Sequence, residues 1–119
     1  LIIDSYGDSV KFYNISKCVF VGKSLNKALE FDSGQNPIEA AMLGCKIFHG
    51  PNVINFAGIY KFLKKLGVTK EISNANELSL SIIEEFNEDR AKNDEISAKL
   101  ESYGQNIFNN VTMELKKYI

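Results

Sequence analysis

The chain has 119 residues, 45% of them apolar and 24% charged, with a formal net charge of -1. That length supports one domain with a modest core, and the composition is that of a globular chain. Near-neutral charge argues against a nucleic-acid binder that works by neutralising phosphates, and no apolar run approaches the ~18 residues that a membrane span needs.

Leu1-Ile2-Ile3 reads as a short buried strand ending at Asp4. With no methionine and no signal-peptide layout, that opening suggests a trimmed piece whose first strand continues an architecture upstream. Ser5-Tyr6-Gly7-Asp8 is a turn into a short helix whose apolar face is Val10, Phe12, Tyr13 and Ile15. Cys18 to Val21 is the second strand, and Gly22 ends it. Lys23 to Ser33 is a polar loop. Cys18 and Cys45 both lie in apolar stretches without C-x-x-C spacing, which predicts two buried, reduced thiols.

Ser33 to Gly44 holds a glycine turn, a helix start and a helix stop. Asn36 can cap, Pro37 suits the first helical position, and Glu39 can reach back to the cap's own N–H. Ile38, Ala41 and Met42 form an apolar face, and Gly44 can end the helix in the left-handed conformation. A strand follows at Lys46 to His49, then the Gly50-Pro51 break. Ile59, Phe62, Leu63 and Leu66 follow the i, i+3, i+4, i+7 template of an amphipathic helix stopped by Gly67. Val68 to Ile72 is a fourth strand. Asn74-Ala75-Asn76-Glu77 is a second capping box, opening a helix with Leu78, Ile82, Ile83 and Phe86 inward. The charged run Glu84 to Asp94 reads as a solvated face. Another helix follows, with Ile96, Leu100 and Tyr103 inward. Gly104 is expected to break or bend it before a last helix carrying Ile107, Phe108, Val111, Leu115 and Tyr118. This alternation predicts an α/β fold, a Rossmann-like parallel sheet flanked by helices and doubly wound.

Gly34, Gln35 and Asn36 precede a helix start, where N–H groups and the helix dipole favour an anion such as a phosphate. A well-capped helix with no ligand accounts for the same pattern, and spacing alone leaves both readings open. Glu39 is likewise either a capping residue or an acceptor for a pair of sugar hydroxyls. Gly7 lets a ligand approach the backbone closely, or simply makes a turn. Gly22-Lys23-Ser24 lacks the upstream glycine and following helix of a phosphate-binding P-loop. His49, the only histidine, stands apart from any Cys, Asp or Glu cluster, so it reads as structural and no metal site is expected. Asn55 can cap the following helix or face a ligand. No nucleophile–base pair is visible.

Taken together, five pieces resemble one family. They are Asp4-Ser5-Tyr6-Gly7; Phe20-Val21-Gly22-Lys23-Ser24-Leu25; Gly34-Gln35-Asn36-Pro37-Ile38-Glu39-Ala40-Ala41; Gly44-Cys45-Lys46-Ile47-Phe48-His49-Gly50-Pro51; and Asn55-Phe56. In order and spacing they look like the C-terminal half of 3-deoxy-D-manno-octulosonic acid (Kdo) transferases, the lipid A-modifying GT-B glycosyltransferases of Gram-negative bacteria. The family pattern runs D-[ST]-x-G-E-L, F-V-G-G-S-L, G-G-H-N-P-L-E-P, G-x-P-V-x-x-G-P and N-F. Here Lys23 replaces the second glycine of F-V-G-G-S-L, Gln35 a histidine and Ala40 a proline. Asp8-Ser9 stands in place of Glu-Leu, and the loop Asn26 to Ser33 is longer.

The resemblance implies that residues 1–119 are a single partial domain, the nucleotide-sugar-binding part of the C-terminal half, without the N-terminal acceptor domain. It implies that Gly34, Gln35 and Asn36 hold the phosphate of CMP-Kdo and that Glu39 binds the ribose hydroxyls. Ser5, Tyr6 and Gly7 would lie near the cytosine, with Ser24 and Asn55 lining the same crevice. The implied reaction is inverting transfer of Kdo to a lipid A precursor. Its base is a carboxylate of the N-terminal domain, so no catalytic residue is assigned here, and no cofactor or metal is expected. The parent enzyme would associate peripherally with the cytoplasmic face of the inner membrane, the piece itself being soluble. Self-association through an exposed sheet edge stays open. Two other readings also remain: a transferase of the same fold using UDP- or GDP-sugars, and a non-catalytic α/β interaction module.

Overall fold

Two helices end on glycine, and each hands the chain directly to a strand. The computed structural model describes residues 2–5, 7–27, 35–88 and 94–118. Helix α1 spans Ser9–Ile15 and strand β1 Cys18–Phe20; α2 covers Ile38–Met42 and β2 Lys46–His49. A 3-10 turn at Ile54–Phe56 leads into α3 (Ala57–Lys65), followed by β3 (Thr69–Glu71), α4 (Ala75–Asn87) and α5 (Asp94–Lys116). After α2, Gly44 takes φ 83° while Gly44 N–H donates to Ala41 O and Cys45 N–H to Ala40 O. After α3, Gly67 takes φ 72° with the same pair of bonds, Gly67 to Lys64 and Val68 to Leu63. Both are Schellman stops, whose left-handed position suits glycine because it has no Cβ.

The described strands form one parallel sheet in the order β1-β2-β3. Val19 pairs with Ile47 and Ile47 with Thr69; Phe20 pairs with Phe48 and Phe48 with Lys70. Alternation along each strand therefore gives two different faces. One carries Val19, Val21 and Ile47 against Ala40 and Ala41 of α2, Tyr60 and Leu63 of α3, and Leu100 of α5, which make the main core. The other carries Lys46, Phe48 and Lys70 toward Ser81 and Glu85 of α4. A parallel sheet with helices on both faces is the Rossmann-like α/β arrangement that the alternating pattern predicts, although the order of these strands is sequential and does not reverse.

Four expectations need correction. Ile2 and Ile3 form no strand and are exposed; a run this short gains too few ladder bonds to offset its ordering entropy. The buried residues of α4 are Ser81 and Glu85, whereas Ile83 and Phe86 are exposed. The sheet face beneath presents Lys46 and Lys70, so α4 turns a polar stripe toward it, and the charged run is not wholly solvated. Gly104 breaks nothing, because α5 is one helix of 23 residues. A glycine costs a helix only about 1 kcal/mol against alanine, and α5 is anchored before that point. Leu100 is buried, Tyr103 stacks on Phe62 with ring centroids 4.2 Å apart, and Ser97 Oγ donates to Met42 O at 2.9 Å. The apolar residues beyond it, including Phe108, Val111 and Leu115, are exposed. The loop from Ala28 to Ser33 lies outside the described residues.

Among the described residues, no helix is long and apolar enough to cross a membrane.

Candidate functional site

In parallel α/β sheets the loops that leave the carboxyl ends of the strands form the ligand crevice. Here the loops after β1 and β2 are joined by hydrogen bonds. Ser24 is fully buried; its hydroxyl donates to Val21 O and accepts the Gly50 N–H at 2.9 Å. Asn52 N–H donates to Ser24 O at 2.8 Å, and Asn52 Nδ2 to Asn26 O at 3.0 Å. The approach is so close that a Cβ on Gly50 would lie 2.3 Å from Ser24 O and 2.5 Å from Leu25 Cα. Ser24 thus holds the crevice wall together from within and does not face the crevice.

Lys23, in the same turn, has φ 62° and is the one non-glycine with positive φ among the described residues. This is the position where the related pattern has its second glycine. A left-handed conformation costs a residue with a Cβ ~1–2 kcal/mol, part of which glycine returns through its larger unfolded-state entropy. Lys23→Gly is expected to stabilise the fold by about 0.5–1 kcal/mol. The check is a higher urea midpoint at unchanged slope.

The start of α2 is held from two sides. The N-cap is Pro37, fully buried and one place later than the sequence suggests, while Asn36 Oδ1, just before it, accepts the Ile38 N–H at 3.0 Å. Tyr60 of α3 donates its hydroxyl to Gln35 O at 3.0 Å. Glu39 is exposed in the first turn, and its carboxylate does not return to the Asn36 N–H. The Asn36 side-chain oxygen is turned to Ile38, not to the Glu39 N–H, so the reciprocal box does not form. At α4 the box does close: Asn74 Oδ1 accepts the Glu77 N–H at 2.9 Å, and Glu77 Oε2 accepts the Ser73 N–H at 2.8 Å.

Asn36 and Asn55 line one open cleft of about 370 Å³ with Ile38, Phe56, Tyr103 and Ile107. Ser5 and Gly7 do not line it. Ser5 Oγ donates to Asp8 Oδ2 at 2.6 Å, and Gly7, at φ 84°, makes the turn before α1. Tyr6 and Gly34 lie outside the described residues. Among the described residues no group of three or more His, Cys, Asp or Glu side chains is placed to hold a metal ion.

His49, at the end of β2, is buried and donates its Nδ1–H to Gly50 O at 2.6 Å, the structural role its isolation in the sequence suggests. Its ring lies 4.5 Å from that of Tyr60. Burial pushes the imidazole below its ordinary value of 6.5, against the Gly50 carbonyl and Glu71, which favour the cation; Lys64 adds to the depression. The folded state thus binds its proton less readily than the unfolded chain, and stability is lost as pH falls from about 6.5 through the folded value. As the only histidine, its single Hε1 resonance is expected to titrate with a midpoint below 6.5, and a midpoint at or above that value would contradict the burial argument. Tyr60, also buried, has its phenol pushed up to about 12 by burial and by Tyr13, so it stays a donor across the physiological range. Neither Tyr60 nor Gly50 carries a local sequence signal for its role, since their partners lie 25 and 26 residues away.

The described residues form a Rossmann-like α/β domain whose strand-end loops meet the start of a short capped helix. No protein-family model and no curated protein sequence matches the chain. Its structure is similar to the crystal structure of the C-terminal CMP-Kdo binding domain of WaaA from Acinetobacter baumannii, with a TM-score of 0.68 and 24% sequence identity. The match covers 84% of this chain and 50% of that one, so the chain spans about half its length. The likeness establishes the fold.

Proposed function

We propose that this chain is the donor-binding part of a glycosyltransferase that moves Kdo from CMP-Kdo to a lipid A precursor. The observation that carries this reading is the start of α2. There Gln35, Asn36 and Glu39 stand at an externally braced helix start, and the likeness of the fold to a CMP-Kdo binding domain supports reading that start as the donor site. Gly34, Gln35 and Asn36 would hold the CMP phosphate. As the bond from the sugar to the phosphate breaks, negative charge grows on that phosphate, and N–H donors and the helix dipole fixed there stabilise it. Gln35 offers an amide donor where the related pattern has a titratable histidine. Exposed Glu39, free of the capping box, would accept both ribose hydroxyls. Asn55 would line the crevice beside Asn36, and Ser24 would hold its wall in place. None of these groups acts as acid, base or nucleophile. The base would belong to an N-terminal acceptor domain, working at the cytoplasmic face of the inner membrane in a GT-B enzyme.

The test is a CMP titration followed by amide resonances. Shifts are expected around Gly34 to Glu39, with CMP preferred over UDP and GDP. Glu39→Ala is expected to weaken CMP about tenfold, as loss of charge-assisted hydrogen bonds implies, and to leave binding of the 2′,3′-dideoxy analogue unchanged. No shifts at millimolar CMP would overturn the reading, and a preference for UDP or GDP would reassign the donor.

A further inference from the structure

The proposed phosphate grip sits on a helix of only five residues, Ile38–Met42, preceded by exposed Gln35 and Asn36. A helix so short does not fix its own start, because nucleation is unfavourable until several turns are formed. Its position must come from outside. Pro37, fully buried, is one anchor. The other is polar and reaches across the fold: Tyr60 is buried to 3% exposure in α3 and donates its hydroxyl to Gln35 O at 3.0 Å. The Tyr60 ring is itself held against His49 at 4.5 Å, and His49 is tied to Gly50 O at 2.6 Å. Gly50 in turn is bonded to Ser24. One continuous set of contacts therefore runs from the joined strand-end loops through His49 and Tyr60 to Gln35, ahead of the α2 start.

We propose that Tyr60 is a positioning residue for the phosphate site, setting the Gln35–Asn36 backbone through its hydroxyl without touching the nucleotide. This rests on the donor-binding reading above. Removing the hydroxyl leaves the ring and its packing on His49 intact. It frees Gln35 O in an exposed segment where water can take its place, so the fold itself should change little. What changes is the distribution of backbone positions at the α2 start, and only a ligand group bound there should sense it.

The experiment compares wild-type and Tyr60→Phe chains, each titrated with CMP and with cytidine, which lacks the phosphate. For Tyr60→Phe, CMP affinity is expected to fall about fivefold, the scale of one hydrogen bond, while cytidine affinity and the melting temperature hold. In the ligand-free variant, hydrogen exchange of the Ile38 amide, which donates to Asn36 Oδ1, is expected to speed up. If wild-type chain binds CMP and the variant binds it equally well, the positioning role is wrong. A parallel fall in CMP and cytidine affinity would also overturn it, since that is general loosening. If wild-type chain does not bind CMP at all, the donor-binding reading fails and takes this inference with it.

Discussion

Gly50→Ala is expected to destabilise the domain by about 3 kcal/mol or more, the upper range for overpacking a site that cannot relax. The added methyl would lie 2.3 Å from Ser24 O, 2.5 Å from Leu25 Cα and 2.6 Å from Leu25 N. All three are backbone atoms, so no side-chain rotation relieves the clash, and the two loops must move apart. Moving them stretches the Gly50 N–H to Ser24 bond and the Asn52 N–H to Ser24 O bond as well. For a domain of this size the melting temperature should drop by roughly 10 °C. Gly58 is the control. It lies in α3, where an added Cβ would meet nothing within 4 Å, so Gly58→Ala should be neutral or stabilising by up to about 1 kcal/mol. Equal stability for the two variants would show that the loops are not in close contact.

The contrast between these glycines marks what a sequence alone can reveal. Gly44 and Gly67 announce themselves as helix stops because the relevant geometry is local: a periodic apolar stripe ends, and a left-handed residue must follow. The cap Asn74 is legible for the same reason, as is a helix start close to Asn36, and so are the strands at β2 and β3, which are bounded by those stops. Gly50 is legible only as a break, since the backbone it approaches, at Ser24 and Leu25, is far earlier in the chain. Ser24 differs in a more instructive way. The family resemblance implies that it lines the crevice, yet its buried hydroxyl donates to one loop and accepts from the other. The rotation of α4 was hidden too, because the side chains that decide it, Lys46 and Lys70, belong to the sheet and not to the helix. Gly104 illustrates the limit of propensity: a penalty near ~1 kcal/mol is too small to stop a helix whose first turns are anchored. Local rules therefore mark the caps, stops and central strands, while long-range contacts decide whether a short run such as Ile2-Ile3 joins the sheet, whether α5 runs on past Gly104, and which face each element presents.

That division bears on the candidate site. Gln35, Asn36, Glu39 and Asn55, proposed to meet the nucleotide, are exposed and locally patterned, while the residues that position them are buried and distant in sequence. Lys23 links the two sets. It keeps the left-handed turn of the related glycine pattern although its own side chain disfavours that turn. The turn must be held by its surroundings, and the next residue is Ser24.

Ser24→Ala tests that dependence directly and is expected to cost about 2–4 kcal/mol. The change removes one donor and one acceptor at a site with no solvent exposure. It leaves Val21 O and the Gly50 N–H, both on buried residues, without the partner that joins them. An unsatisfied buried backbone group costs ~1–3 kcal/mol, and two are created here, offset in part by the easier burial of a methyl group. Ser24→Cys keeps a polar γ atom, but sulfur is larger than oxygen and only a weak donor and acceptor, so it should not restore wild-type stability. The functional consequence separates a wall residue from a ligand residue. Below the melting transition, the surviving folded fraction of Ser24→Ala should still bind CMP with near-wild-type affinity per folded molecule, whereas Glu39→Ala should fold normally and bind weakly. If Ser24→Ala instead retained wild-type stability while losing CMP binding, the hydroxyl would belong to the nucleotide site and the bridge between the two loops would not be its role.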